Sequence, residues 1–263
     1  MAVHVAPHHA VPDAAVCAGA SAGMALMAAA ALTRGDPARV DQLPLTEEYG
    51  IPNEFIVQSS HVVSYEQAWM LPGARVVVVG SHSEDNAIPD GGFAAEDCRC
   101  TEAELEAAIR PGKTAALLFA AEYGCSLDLP TVARIARKHG LPVLVDSASQ
   151  LPPKTNLTKY LEQGATLCCY KGGGAIRGPQ SSGLVLGSAK WVGFARQNAF
   201  PNRAIGRAMK ICKEEIVRRK SCLHHLLDNA YKLCCETPLD DVATHAVFSS
   251  IAGNWRTRLS RQA

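Results

Sequence analysis

The sequence has no excess of charge of either sign. Its 26 lysine and arginine residues are balanced by 25 aspartate and glutamate residues, which gives a formal net charge of +1. Proteins that coat nucleic acid usually carry a strong basic patch or stripe, so nucleic acid is not an expected partner. Apolar residues make up 48% of the chain and charged residues 19%, which excludes the charge-rich, apolar-poor composition of a disordered protein.

Long, strongly apolar runs are also missing. The most apolar stretch, residues 17–33 (CAGASAGMALMAAAALT), is rich in glycine and alanine and is shorter than the ~20 strongly apolar residues of a membrane span. No lysine or arginine precedes it, so the charged start of a secretory signal is absent. We therefore expect this stretch to be a buried helix of a cytoplasmic protein that does not enter a membrane.

The ten cysteines lack the C-x-x-C spacing that is typical of zinc sites and thioredoxin-like redox sites. Several lie inside apolar runs, as in residues 166–170 (TLCCY), where a reduced cysteine packs like a small apolar side chain. The pattern predicts reduced, mostly structural thiols and no metal site. The glycine-rich segment 171–183 contains neither G-x-G-x-x-G nor the P-loop motif, so neither nucleotide signature is present there.

Short β-branched runs alternate with helical patterns along most of the chain. Apolar strands separated by helices indicate βαβ units and a parallel sheet covered on both faces. We therefore predict an α/β fold, a three-layer sandwich with a mainly parallel sheet. The predicted strands are Phe55–Gln58, Val76–Val79, Ala115–Phe119, Val143–Val145, Leu167–Tyr170 and Leu184–Leu186. The predicted helices are one from Gly19 to just before Gly35 and others at 64–71, 102–110 (with a Thr101–Glu104 capping box), 129–139, 154–163 and 189–199.

The pattern divides the chain into four parts. Residues 1–14 are predicted to be disordered, and residues 15–203 are predicted to form the large α/β domain. Residues 204–236 indicate a long amphipathic helix, through apolar positions such as Ile205, Met209 and Ile216. Residues 237–263 show no strong periodicity and are assigned no element.

Four features fall beside the ends of predicted strands, which is where open α/β sheets bind ligands. The small-residue helix start at 17–23 (CAGASAG) suits a phosphate, although a tightly packed Ala/Gly helix explains it equally well. Asp146 directly follows a buried strand, where a carboxylate can hold a protonated ring nitrogen. The alternative is that Asp146 caps the segment that follows.

The other two features are a loop and a histidine. The glycine-rich loop at 170–183 contains Lys171, Arg177 and Gln180 and suits an anionic ligand, with a plain flexible turn as the alternative. His61 follows the strand at 55–58, where an imidazole can stack on a planar cofactor or serve as a hydrogen-bonded structural residue. Each feature alone is a weak signal, but together they indicate one site.

Five segments between residues 15 and 236 match one known family in the same order. They are 35–44 (GDPARVDQLP), 52–58 (PNEFIVQ) with His61 and Tyr65, 145–153 (VDSASQLPP), 171–187 (KGGGAIRGPQSSGLVLG) and 206–217 (GRAMKICKEEIV). They resemble the selenocysteine-synthase-like family of fold-type-I pyridoxal-phosphate proteins, which includes seryl-tRNA selenium transferase and glucosaminate-6-phosphate ammonia-lyases. Such relatives have an additional first segment and a smaller C-terminal domain. We therefore expect a large domain truncated at both ends, with 204–236 leading to a missing small domain.

The resemblance implies a pyridoxal 5'-phosphate cofactor and a set of residues that bind it. The expected cofactor-binding residues are Gly19, Ala20 and Ser21 at the phosphate, His61 against the ring and Asp146 at the ring nitrogen, with Ala148, Gly174 and Gln180 around them.

The lysine that holds the cofactor covalently in this family is missing from its usual place. The family pattern reads Ser-Gly-Gly-Lys, and an ungapped alignment puts Lys171 at the serine and Gly174 at the lysine. Three extended residues correspond to ~10 Å, a gap that a looped glycine run would shorten. We therefore take Lys171 as the catalytic residue, a displaced covalent lysine. The alternative is a protein that has lost this function.

The resemblance also implies an activity. The first expectation is a pyridoxal-phosphate-dependent lyase that acts at the α-carbon of an amino acid or amino-sugar acid, by an ammonia-lyase-like elimination. A transferase similar to the seryl-tRNA selenium transferase is an alternative, which the lack of an evident basic extension for transfer RNA disfavours. A further alternative is a catalytically impaired pseudoenzyme. The resemblance finally implies a homo-oligomer, at least a dimer, with a small-molecule substrate.

Overall fold

The centre of the fold is a seven-stranded sheet. The computed structural model describes residues 13–62, 65–81, 87–88, 92–93, 98–122, 124–174, 178–212 and 214–215. Across the sheet the strands follow the order β1 (Asp13–Cys17), β9 (Gly183–Gly187), β8 (Leu167–Lys171), β7 (Val143–Asp146), β6 (Thr114–Ala120), β2 (Glu54–Gln58) and β3 (Arg75–Val79). The strands from β8 to β3 pair in parallel, whereas β9 runs antiparallel to both of its neighbours. A separate two-stranded hairpin joins β4 (Ala87–Ile88) and β5 (Gly92–Phe93).

Helices cover both faces of the sheet. They are α1 (Ala20–Thr33), α2 (Pro37–Gln42), α3 (Glu66–Met70), α4 (Glu102–Ala107), α5 (Leu129–Lys138), α6 (Asn156–Glu162) and α7 (Ala189–Asn198), with a 3₁₀ turn at Ser59–His61. Apolar residues of α1, α3 and α7 pack on one face of the sheet, and those of α4, α5 and α6 pack on the other. Because successive strand residues point to opposite faces, each central strand contributes to both cores, which makes the strands nearly continuous apolar runs.

The structure confirms the predicted α/β class and most of the predicted elements. Each of the six predicted strands is present with one or two further residues, and α1 begins directly after Gly19 and ends at Thr33, before Gly35. Helix α1 is buried almost all round from Gly23 onward, which explains its uniformly small and apolar composition. The capping box at the start of α4 is also present, with the Thr101 side chain and the Glu104 side chain each bonded to the other's backbone N–H.

The predicted boundaries at both ends of the domain need correction. Asp13 and Ala14 are not disordered but begin β1, where Asp13 forms an ion pair with Arg196 of α7 at 2.6 Å. Residues 204–212 form turns and a bridge rather than the start of a long helix. The apolar pattern misled here because Gly206 packs on the end of α7, where an added Cβ would lie 2.4 Å from the Asn198 carbonyl oxygen. Residues 1–12 and 216–263 lie outside the described residues.

Two further features concern membranes and thiols. Among the residues that the structure describes, none of the helices combines the length and the apolar character that crossing a membrane requires. No disulfide joins any of the seven described cysteines, and five of these are buried. The described part of the chain also contains no cluster of three or more potential metal ligands.

Candidate functional site

The strand directions bring the predicted site residues to one edge of the sheet. Asp146 pairs with Ala120 at the ends of two parallel strands, and Lys171 pairs with Gly183 at the start of β9. Cys17, at the end of β1, also pairs with Gly183. The carboxyl ends of the parallel strands and the start of α1 therefore face the same side, as expected for ligand sites of open α/β sheets.

His61 is held in a defined orientation at this edge. The Gln58 side chain is fixed by Leu127, because its Oε1 accepts from the Leu127 N–H and its Nε2 donates to the Leu127 carbonyl, both at 2.9 Å. That amide nitrogen and the Ala120 N–H each donate to His61 Nδ1, both at 3.2 Å. Nδ1 is therefore the acceptor nitrogen, and the proton of the neutral ring is on Nε2. The imidazole also contacts Phe119 edge to face, with the ring centroids 4.4 Å apart.

Burial keeps this imidazole neutral and leaves its N–H without a partner. Burial lowers the pKa of His61 to about 4. Within the described part of the chain, four buried side-chain polar atoms have no hydrogen-bond partner: Ser60 Oγ, His61 Nε2 and Glu66 Oε1 in this neighbourhood, and Asn198 Oδ1 at the end of α7. Burial also raises the pKa of the Glu66 carboxyl. The neighbourhood thus holds a donor, a hydroxyl and a carboxyl oxygen, none of which has a hydrogen-bond partner.

His61 and Asp146 line the same small cavity. Its volume is about 10 Å³, and it is lined by Val57, His61, Glu66, Trp69, Leu118, Phe119, Ala120 and Asp146. Such a volume holds the centre of roughly one water molecule, so the cavity is the inner end of a site rather than the whole of it. The structure therefore brings together two residues that the sequence predicted for the same cofactor ring.

The carboxylate of Asp146 is in a buried environment that disfavours its negative charge. Burial raises its pKa, and the Ala148 N–H, which donates to Oδ1 at 3.0 Å, only partly opposes this rise. The Ala148 carbonyl in turn accepts from the Lys171 N–H at 3.1 Å, which ties the segment after β7 to the end of β8. A cationic group beside Asp146 would lower the cost of its charge, as a protonated ring nitrogen does.

The Lys171 side chain occupies the space above Gly174. A Cβ added to Gly174 would lie 2.6 Å from Lys171 Cε and 3.4 Å from Lys171 Cδ. The first of these distances is shorter than those at which real Cβ atoms approach other atoms. The ammonium group of Lys171 donates to Ser149 Oγ at 2.8 Å and lies near enough to Asp146 to lower the pKa of that carboxyl. The lysine from position 171 thus fills the volume into which a side chain at 174 would extend.

The glycine-rich loop folds back on itself. Gly172 N–H donates to the Ser182 carbonyl at 2.7 Å, and Gly178 N–H donates to the Gly172 carbonyl at 2.8 Å. Gln180 is exposed and lies over Gly173, whose added Cβ would meet the Gln180 Oε1 at 2.4 Å. The described atoms of Gln180 therefore contact the loop rather than Asp146 or His61. Residues 175–177, including the predicted Arg177, lie outside the described residues.

The start of α1 is open and close to β9. Gly19 precedes the helix with φ 132°, a conformation that favours glycine, and a Cβ there would meet nothing within 4 Å. No side chain caps this end and no acidic residue lies in the first turn, so the first N–H groups, including those of Ala20 and Ser21, point into an uncapped turn. Gly183 allows the backbone of Gly19 to approach β9 closely, because a Cβ at 183 would lie 2.5 Å from the Gly19 carbonyl.

Several residues that shape the site were not predicted from the sequence. Gln58 and Leu127 fix the imidazole, Ser149 holds the lysine amine, Glu66 lines the cavity, and Gly183 admits the helix start. Ser149 lies inside the 145–153 segment that was singled out, so its position was a usable signal. Gln58 and Gly183 likewise lie inside the segments 52–58 and 171–187, whereas Leu127 is 69 residues from Gln58 and no local pattern marks it.

Comparison with known sequences finds similar proteins. The profile of the DegT/DnrJ/EryC1/StrS aminotransferase family matches residues 91–159. The D-glucosaminate-6-phosphate ammonia lyase of Salmonella typhimurium is 32% identical over 213 residues, which are 78% of this chain and 51% of that protein. The 5'-C-glycyluridine monooxygenase-decarboxylase of Streptomyces sp. is 31% identical over 215 residues, 78% of this chain and 47% of that protein. The chain thus spans about half the length of these relatives.

Solved structures show the same fold. The structure of D-glucosaminate-6-phosphate ammonia-lyase superposes with a TM-score of 0.66 at 30% identity, covering 88% of this chain and 56% of that one. The archaeal O-phosphoseryl-tRNA(Sec) selenium transferase superposes with a TM-score of 0.56 at 15% identity, covering 84% of this chain and 47% of that one, which supports the fold alone. The chain therefore has the large-domain fold of the fold-type-I pyridoxal-phosphate proteins, and within that class it resembles the D-glucosaminate-6-phosphate ammonia lyase.

Proposed function

We propose that this chain binds pyridoxal 5'-phosphate at the carboxyl edge of its sheet, with Lys171 as the covalent lysine. We further propose that it promotes an ammonia-lyase-like elimination at the α-carbon of an amino acid or amino-sugar acid. The observation that carries the proposal is the path of the Lys171 side chain over Gly174 toward Ser149. The similarity to a protein named as an ammonia lyase supports the reaction class.

The residues at this edge fit the cofactor. The uncapped start of α1, with Gly19, Ala20 and Ser21, supplies N–H groups to a phosphate. The raised pKa of Asp146 is the property expected of a carboxylate that gains a cationic ring nitrogen as partner. The unpartnered Nε2–H of His61 lies on the wall that Asp146 shares. Ala148 and Gly174 border the same region, whereas Gln180 lies over the loop at Gly173; all three are proposed to surround the cofactor.

The spacing of the glycine run does not prevent Lys171 from acting in the role of the family lysine. Three extended residues would separate the two positions by about 10 Å. The structure instead places Lys171 Cε 2.6 Å from the Cβ position of Gly174, so the two side chains would use the same volume. A larger side chain at 174 would have to displace the end of the flexible Lys171 side chain from this volume.

Each group has a specific part in the proposed reaction. The bound cofactor supplies a protonated ring that withdraws electrons from the substrate α-carbon. Lys171 Nζ would hold the cofactor and, once free, would be the base that accepts the α-proton, while Ser149 Oγ would hold Nζ in position. Asp146 stabilises the positive charge on the ring nitrogen, and His61 donates from Nε2 without itself titrating at neutral pH.

The test is reduction of the cofactor-loaded protein with borohydride, followed by peptide mapping. The wild-type chain with added pyridoxal phosphate is expected to show a visible absorbance band and, after reduction, cofactor attached to the peptide that contains Lys171. Lys171→Ala abolishes the label, whereas Lys190→Ala, which changes an exposed lysine on α7, leaves it in place.

A double variant separates a displaced lysine from a lost one. Lys171→Ser combined with Gly174→Lys restores the family order and is expected to carry the label at position 174. If the double variant is labelled and the wild-type chain is not, Lys171 is not the covalent residue and the wild-type chain is a pseudoenzyme. A wild-type label on Lys171 with release of ammonia from amino-sugar acids supports the lyase, while activity only on a charged transfer RNA supports the transferase.

We also propose that the protein is a cytoplasmic homo-oligomer. Five large apolar side chains on and near α3 are between 40% and 60% exposed: Leu45, Tyr49, Tyr65, Met70 and Leu71. The segments that carry them are joined by a hydrogen bond from Thr46 Oγ1 to the Gly73 carbonyl at 2.7 Å. A contiguous exposed apolar surface beside a binding site is typical of a subunit interface. A dimer mass in light scattering is expected, and a monomer at all concentrations would contradict the proposal.

A further inference from the structure

A second, larger cavity lies at the edge of the sheet opposite to Lys171. Its volume is about 400 Å³, and it is bordered by residues at the beginnings of three parallel strands: Pro52 before β2, Thr114 at the start of β6 and Leu141 before β7. The seven residues of β6 separate the two edges by about 20 Å. The cavity is therefore distinct from the proposed cofactor site, and its size falls in the range of small-molecule sites.

Positive groups line this cavity. Arg34, Arg39, Arg110 and His139 contribute to its wall, together with apolar residues such as Leu32. None of the described residues that line it is acidic. The two glycines at its rim, 112 and 140, leave open space, since an added Cβ would meet nothing within 4 Å at either. A largely apolar wall with a few convergent charged groups is the usual composition of a site for a small charged ligand.

The carboxylates nearby do not balance these cations. Arg39 Nε lies 3.7 Å from Asp36 Oδ2. Arg110 Nε donates to Glu54 Oε2 at 2.8 Å, and the same carboxylate also binds Arg75, so one negative charge serves two guanidinium groups. His139 Nε2 lies 3.0 Å from Glu106 Oε1, so this imidazole has a carboxylate partner of its own. The excess of positive charge around the cavity therefore comes from the arginines.

Arg34 carries most of this excess. It ends α1 in the left-handed conformation, and none of the ion pairs within the described ranges involves it. Arg34 and Arg39 both line this cavity, and burial together with the neighbouring charge of Arg39 lowers the pKa of Arg34. The two guanidinium groups repel each other. A dianion between them would remove this repulsion and accept two N–H hydrogen bonds from each guanidinium group.

We infer that this cavity binds a small dianion, a phosphate ester or a dicarboxylate, between Arg34 and Arg39. Its short carbon frame lies against the apolar wall formed by Leu32, Ile109 and Pro111. Helix α1 connects this site with the proposed phosphate-binding turn at its other end, because it runs from Ala20 to Thr33. The inference does not depend on whether the cofactor site is active.

The test is titration calorimetry of the full chain with inorganic phosphate, pyrophosphate and succinate at constant ionic strength. Each titration is made with and without saturating pyridoxal phosphate. A dianion bound at the start of α1 would be displaced by the cofactor, whereas one bound beside Arg34 would not. We expect saturable one-to-one binding of at least one of these anions that persists when the cofactor is present.

Variants assign this binding to the cavity. Arg34→Gln is expected to weaken it at least about tenfold, the loss typical of a charge-assisted hydrogen-bond pair. Arg34→Lys keeps the positive charge but loses the paired N–H donors of the guanidinium group, so it should weaken anion binding less than Arg34→Gln does. Arg203→Gln removes an exposed guanidinium that does not line the cavity and should leave affinity within about twofold.

Three outcomes would overturn the inference. They are no saturable binding of any of the three anions, binding that Arg34→Gln leaves unchanged, and an equal loss in the Arg203→Gln control. If Arg34→Gln lowers thermal stability and leaves anion affinity intact, Arg34 only compensates the negative end of α1. If Arg34→Gln does not fold, the same comparison is made with Arg34→Lys.

Discussion

The protonation state of His61 predicts how stability depends on pH. Its ordinary pKa of 6.5 applies in the unfolded chain, whereas burial lowers the pKa to about 4 in the folded protein. The unfolded chain therefore binds more protons at this residue below pH 6.5. Above that pH the titration of His61 does not change the free energy of unfolding. As the pH falls from about 6.5 to about 4, the titration of His61 lowers this free energy.

The magnitude follows from the two pKa values. At pH 5 the unfolded imidazole is almost fully protonated, while the folded one is about one tenth protonated. Between pH 7 and pH 5 this difference lowers the free energy of unfolding by about 2 kcal/mol, and the loss approaches about 3 kcal/mol below pH 4. Asp146 and Glu66 have pKa values raised by burial, so they change stability in the opposite direction.

A comparison with His61→Asn isolates this contribution. The asparagine Oδ1 can accept the Ala120 N–H in place of Nδ1, and the side chain does not titrate. Loss of the ring contact with Phe119 lowers stability by an amount that is independent of pH. Asp146 and Glu66 remain in both proteins, so their contributions largely cancel in the difference.

Urea unfolding of the cofactor-free protein at pH 7, 6 and 5, followed by tryptophan fluorescence, measures the effect. Between pH 7 and pH 5 the wild-type protein should lose about 2 kcal/mol more than His61→Asn does. Two pH dependences that stay parallel within about 0.5 kcal/mol would refute a buried neutral imidazole. They would also remove the argument that Nε2 carries the proton.

Two further predictions concern packing and charge at the ends of the sheet. Gly183→Ala places a Cβ 2.5 Å from the Gly19 carbonyl, so it should cost about 1–3 kcal/mol and weaken pyridoxal-phosphate binding. The control Gly193→Ala meets nothing within 4 Å in α7 and should be neutral or stabilise by up to about 1 kcal/mol; equal losses in thermal unfolding would contradict this reasoning. Glu54→Gln removes a buried carboxylate that binds two arginines and should cost about 2 kcal/mol in urea unfolding, and an unchanged stability would show that the arginines do not need it.

Local patterns predicted the central elements because the same residues that favour an element also face the core. The strand at 143–146 is a continuous apolar run, and the structure buries its first three residues on both faces of the sheet. Helix α1 could be bounded by Gly19 and Gly35, since glycine permits the backbone conformations found there. Asp146 and His61 were singled out as polar residues that follow predicted buried strands, Asp146 directly and His61 after two serines.

Local patterns failed where a distant contact decides the conformation. Ala14 belongs to a strand because β9 offers an open edge and Arg196 binds Asp13, and neither partner is near in sequence. The apolar periodicity after residue 204 predicted a helix, but Gly206 packs against the end of α7 and turns the chain. In both cases tertiary contacts decided a conformation that the local sequence pattern did not predict.

The sequence by itself determined the α/β class, the order of most strands and helices along the chain, and the residue types available at the strand ends. Periodicity and glycine positions carry this information, because they act over a few neighbouring residues. Only the tertiary structure decided that Lys171 lies over Gly174 and that the proton of His61 is on Nε2. It alone placed Arg34 beside Arg39 at the opposite edge of the sheet. These features depend on groups far apart in the chain, and their distances are defined only when the sheet and its helices are packed.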